Sequence, residues 1–220
     1  MSMPLRPKFE KGALVAFVPP TMRPRLIAFQ FNPATMQRTL AARQPPEGAA
    51  PEEANRLYGA PVETIKLEIE LDAIGEDLDT GPDIARDKGV HPQLAVLESL
   101  LYPAIEIVLA NDILLATGTI EIVPAQGPFV VLVWGKLRRV LPVAVTGLSI
   151  TEDSFDSQLN PSTAKVSLDL KVLSYSDLTL THPGHGLFVV HQILKEGLAT
   201  EASAASAKGV AASALGAVQI

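Results

Sequence analysis

Apolar and polar side chains alternate with a period of two along much of the chain, and the clearest stretch is ETIKLEIELD at residues 63–72. Ile65, Leu67, Ile69 and Leu71 fall on one side; Lys66, Glu68, Glu70 and Asp72 fall on the other. One apolar and one charged face predict a strand with a wet side, the arrangement that antiparallel sheets tolerate. The same pattern recurs at 163–173, where Val166, Leu168, Leu170 and Val172 oppose Lys165, Ser167, Asp169 and Lys171. At 25–31, Ile27, Phe29 and Phe31 are expected to share a strand face until Asn32-Pro33 breaks it with an Asx-type turn. The apolar run 13–18 ends at Pro19-Pro20, and the run 129–134 closes on Trp134-Gly135. A strand over 140–150 alternates through Leu141, Val143 and Val145, with Gly147 placed for a kink or bulge.

Helical spacing is rarer. Pro92 suits a first helical position, and Leu94, Leu97 and Leu101 repeat on one face until Tyr102-Pro103 stops them. Residues 187–198 predict a short amphipathic helix, after which the chain becomes an Ala/Ser-rich tail. Residues 104–127 read two ways: β-branched content with breaks at Asn111-Asp112 and Gly118 predicts a β excursion of short strands, and a second helix is the alternative. Residues 41–61, with four prolines and two glycines, and residues 74–90 predict loops.

These elements describe a mainly β fold, a β-barrel or sandwich, with one packed helix and a short helical or extended C-terminal tail. The division expected is a β-barrel domain over 1–180, then a His/Gly junction, a short helix and the tail over 181–220. At 220 residues and 47% hydrophobic content the chain can bury a sizeable core. The net charge of −6, without a basic stripe, argues against gripping a nucleic-acid backbone. Without cysteine, the chain has no disulfides, thiolate metal ligands or cysteine nucleophile. No secretory signal is read at the start. No membrane span is expected either, because Glu106, Asn111, Asp112 and Glu121 interrupt the longest apolar stretch. Synthesis and assembly in the cytoplasm follow as the expectation.

Candidate chemistry is sparse. His182, His185 and His191 fall within ten residues, and Pro183-Gly184 between the first two could turn their rings toward each other. A metal-dependent enzyme or ligand-binding barrel built on them is one reading; a plain junction between barrel and tail is the other. Glu68, Glu70 and Asp72 line one strand face, but nothing nearby would form a pocket to perturb them, so a solvated wall is expected. Ser149, Ser154 and Ser157 lack a nucleophile-elbow context, and the glycines form no phosphate loop. Trp134 reads as core, and Arg138-Arg139 as a small basic spot at a turn. No catalytic, cofactor-binding or metal-ligating residue is therefore assigned.

The order of five motifs resembles the tube-domain family of contractile injection systems, the phage-tail-like particles. The motifs are Phe29-Gln30-Phe31-Asn32-Pro33; Pro61 to Ile65 leading into Leu71-Asp72-Ala73; LESLLYP at 97–103; PFVVLVWG at 128–135; and the two strands at 143–150 and 164–173. Within that family the chain is most similar to the baseplate hub or spike–tube adaptor branch, which often carries a C-terminal LysM peptidoglycan-binding module. The Ala-rich C-terminus shows no such module, and the family's Gly-x-Pro-x-Arg-Ala before the last strand is eroded to Leu159-Asn160-Pro161-Ser162-Thr163-Ala164. The resemblance implies a homohexameric ring between the central spike and the inner tube, in contact with other baseplate proteins, within a particle that is cytoplasmic or released. A main inner-tube subunit is the alternative within the family. Phe31, Asn32, Pro33, Trp134 and Gly135 are the candidate structural and assembly residues.

Overall fold

The computed structural model describes residues 10–19, 21–44, 56–73, 87–118, 124, 126–135 and 139–217, with backbone alone from 207 onward. Its strands are β1 (Ala13–Val18), β2 (Arg23–Ala28), β3 (Met36–Ala41), β4 (Val62–Asp72), β5 (Phe129–Trp134), β6 (Arg139–Phe155) and β7 (Pro161–Val172). Its helices are α1 (His91–Glu98), α2 (Ile105–Ala116) and α3 (Pro183–Ala217). The strands form one antiparallel sheet in the order β2-β1-β5-β6-β7-β4-β3.

The fold is mainly β, as the alternation predicts. Ile65, Leu67, Ile69 and Leu71 of β4 and Val166, Leu168, Leu170 and Val172 of β7 are all buried on the inner face. They share one core with Leu14 of β1, Leu132 of β5, Leu141 and Val143 of β6, Leu94 and Leu97 of α1, and Phe188 of α3. β6 is long enough to serve two neighbours: Arg139–Val143 face β5, and the chain from Val143 to Phe155 faces β7. The register slips between Val145 and Gly147, at the glycine expected to bend the strand.

Gln30 shows that the sheet is curled. Its side-chain amide accepts from the Asp72 N–H and donates to the Asp72 carbonyl, both at 2.8 Å. In a flat sheet, five steps of about 4.8 Å would separate β2 from β4 by roughly 24 Å. Gln30 lies two residues past β2, and two residues plus its side chain reach only about 12 Å. The sheet therefore wraps into a barrel-like form, yet no ladder joins β2 to β3 among the described residues. The barrel is not closed.

α1 caps the interior. Gly89 starts it with φ of +58°, and a Cβ there would fall 2.1 Å from the Pro161 carbonyl oxygen, so no other residue fits without backbone movement. The next residue, Val90, donates to that same carbonyl at 2.9 Å. Beyond Glu98 the chain tightens: Leu100 donates to the Leu97 carbonyl and Leu101 to the Glu98 carbonyl. The tighter winding carries Leu100 inward and leaves Leu101 exposed, one position off the helical pattern.

Three further expectations are corrected. β2 ends at Ala28, so Phe29 and Phe31 do not share a strand face: Phe29 is buried at 1% exposure and Phe31 is exposed at 48%. The excursion at 104–127 is not built of strands over 105–116, which form α2. That stretch contains neither Gly nor Pro, and Asn111-Asp112 are absorbed into the helix, which stops only at Thr117 and Gly118. The helix expected over 187–198 begins at Pro183 and continues unbroken through the Ala/Ser-rich tail to Ala217, because alanine favours helix even where no core is available. β3 had no sequence expectation attached to it. The loops at 41–61 and 74–90 lie largely outside the described residues, but Arg43 ties the ends of the first together. It donates to the Ala60 carbonyl and pairs with both carboxylate oxygens of Asp177 at 2.8 and 2.9 Å.

Candidate assembly surfaces

Asn32 and Trp134 meet at Gly12. The Asn32 side chain accepts from the Gly12 N–H at 2.8 Å and donates to the Glu10 carbonyl at 2.7 Å. Gly12 in turn accepts from the Phe29 N–H at 2.9 Å. The Trp134 ring packs on Phe29, with centroids 6.4 Å apart, and a Cβ on Gly12 would lie 2.7 Å from that ring. Asn32 thus holds the strand leading into β1, not the turn at Pro33 that its Asx-Pro sequence suggests. Pro33 is half-buried in the link to β3, and Gly135 opens the β5–β6 connection at φ of +60°. Phe31 stands apart from this clamp and lines an open groove of about 320 Å³ with Glu70, Asp72, Asp153 and Lys165.

The charged face of β4 is a paired, solvated wall. Lys66 reaches Asp169 at 3.2 Å and Glu70 reaches Lys165 at 3.6 Å, both across the β4–β7 register, and all four side chains are at least half exposed. Exposed cross-strand pairs of this kind contribute little stability, and the groove that Glu70 and Lys165 line beside Phe31 is open to solvent.

The histidines are divided among separate duties. His182 Nδ1 accepts from the Gly184 N–H at 3.1 Å, capping the start of α3, and its ring meets Phe129 edge-on. His185 leans on Tyr175. His191 is buried between α3 and the sheet. Among the described residues, no three His, Cys, Asp or Glu side chains come together in a way that could hold a metal. Arg139 approaches Met36 Sδ at 4.0 Å; Arg138 lies outside the described residues.

The most conspicuous surfaces are apolar. α2 has no buried residue, although Ile105, Val108, Leu109, Ile113 and Leu115 are all exposed aliphatics on it. A second apolar area lies on the outer side of β1 and β5. There Val15, Phe17, Phe129 and Val131 face Pro183 and Leu187 at the start of α3 across an open groove of about 330 Å³. α3 buries Gly184, Phe188 and His191 against the body and then leaves it; residues 193–206 are exposed, including Ile193, Leu194 and Leu198. Among the described residues, no helix is long and apolar enough to cross a membrane.

Sequence reasoning missed α2 as a surface and Gln30 and Arg43 as tethers. The lack of Gly and Pro from Ile105 to Ala116 was the available signal for α2. No local pattern announces a side chain that reaches 42 or 134 positions away. Neither a known protein-family model nor a curated protein sequence matches this chain.

Proposed function

We propose that this chain is a structural, ring-forming subunit of a contractile injection system or phage-like tail, acting as an adaptor between the central spike and the inner tube. The order of motifs from Phe29 to the strand at 164–173 supports the family. The observation that carries the assembly role is the aliphatic helix α2, none of whose residues is buried among the described residues. Five exposed aliphatics on one short helix form a patch that monomeric proteins rarely leave uncovered. The two sheet edges, β2 and β3, which pair with no further strand among the described residues, add backbone donors and acceptors for a neighbouring chain. Self-association into a homohexamer comes from the resemblance, and heterologous contacts between unlike patches would close such a ring.

The native mass of the purified full chain, alone and mixed with the matching spike and inner-tube proteins, tests the reading. A ring of about six subunits, formed alone or on the spike, is the expected result. Spontaneous growth into long tubes would replace the adaptor with the main tube subunit. A monomer indifferent to both partners would sink both versions.

A further inference from the structure

We propose that His191 is a pH-sensitive latch: its ring, sealed between α3 and the barrel beside an ion cluster on Glu63, keeps the first turns of α3 docked while neutral and releases them on gaining a proton.

The latch sits on the only stripe by which α3 is described as buried, Gly184, Phe188 and His191, spaced four and three residues apart. His191 is 6% exposed, and neither ring nitrogen has a hydrogen-bond partner among the described residues. A buried imidazole without partners is tolerable only when uncharged. One turn further on, Lys195 of α3 comes within 3.9 Å of Glu63, a β4 carboxylate that is itself 3% exposed. Arg38 of β3 donates to the same carboxylate at 2.7 Å. Arg139 of β6 adds a third cation in the field of the ring. One anion, already shared by Arg38 and Lys195, therefore stands against three cations around His191.

The direction of the switch follows from these groups. Burial first and then Lys195 hold the His191 pKa below its ordinary 6.5; Glu63 pulls the other way, by less than Lys195, and Arg38 and Arg139 add smaller pushes downward. Above pH 6.5 the ring is neutral whether α3 is docked or not, and docking is at full strength. As the pH falls below 6.5, the undocked ring takes up a proton that the docked ring refuses, so docking weakens. The loss stops growing once the pH passes the docked pKa and both states are charged. Within that window one proton is bound per opening, which changes the opening equilibrium about tenfold per pH unit. Release would free α3 from the apolar groove formed by Phe17, Phe129 and Val131 as well as from the core.

Amide hydrogen exchange over residues 184–195 of the full chain, measured from pH 7.5 to 5 against the exchange of unstructured peptides, is the test. The expected result is an opening that rises about tenfold per unit below pH 6.5. His191→Leu, and His191→Gln should the leucine variant misfold, should leave the segment protected and flat across the range. The chain has only four histidines, so an NMR titration of the wild type reads the ring without any substitution. A His191 ring that titrates at or above 6.5, or an acid opening that persists in both variants, would overturn the proposal. Because every reading is made on a single purified chain, the latch stands or falls independently of ring assembly.

Discussion

Asn32 shows how far one side chain can act from its own turn. Its two hydrogen bonds fix Glu10 and Gly12, and they hold Gly12 where only a bare Cα fits under the Trp134 ring. Asn32→Ala removes both bonds. The expected loss is about 1–3 kcal/mol in urea unfolding, with faster exchange confined to residues 10–13. A variant as stable as the parent, with unchanged exchange there, would show that the clamp is dispensable. Asp177 is a second residue with a distant task. Burial favours its protonated form, but hydrogen bonds from Ser174 and Arg43 overcome that and bring its pKa to about 2. Its folded value lies below its unfolded one, so its contribution is complete above about pH 4 and fades as the pH falls toward 2. Asp177→Asn should therefore flatten acid unfolding in that window while lowering stability at neutral pH; equal acid sensitivity in both proteins would refute the assignment.

α2 poses the opposite problem, an element with much apolar surface and no burial. Leu109→Glu combined with Ile113→Glu should change monomer stability by no more than about 0.5 kcal/mol, since neither side chain is packed. The same pair should abolish higher-mass species in native mass measurements. A large loss of melting temperature would mean that α2 belongs to the fold and not to an interface. The contrast between α2 and the strands explains what the sequence made legible. β4 and β7 were readable because a polar side chain at every second position leaves one register, and Gly147 marked its own bulge. Residues 105–116 carried apolar side chains on nearly all sides, so period could not separate strand from helix. β3 was opaque for another reason: Met36–Ala41 are mostly exposed, and their place is set by pairing with β4, not by a buried face. At the site level, Trp134 and Asn32 were found as residues, but their convergence on Gly12 depends on the curl of the whole sheet.

That curl is a property of the molecule as a whole, and Gln30 is its most economical probe. Gln30→Ala deletes both part-buried bonds to Asp72. We expect a loss of about 1–3 kcal/mol, together with new hydrogen exchange along the β2 and β3 edges. Loss of stability without edge exposure would place the effect in the core instead. α3 sets a different dimension. Lys195 makes the last contact described between α3 and the body, and from there to Ala217 the helix continues as a rod that at 1.5 Å per residue measures about 33 Å. This is close to the width of a small domain, so the chain has two radii: one for the barrel and a larger one swept by the rod. Any array of these molecules must either space its members by the larger radius or lay each rod along a neighbour, and in the second case the pitch of the array is written in the length of an alanine-rich helix.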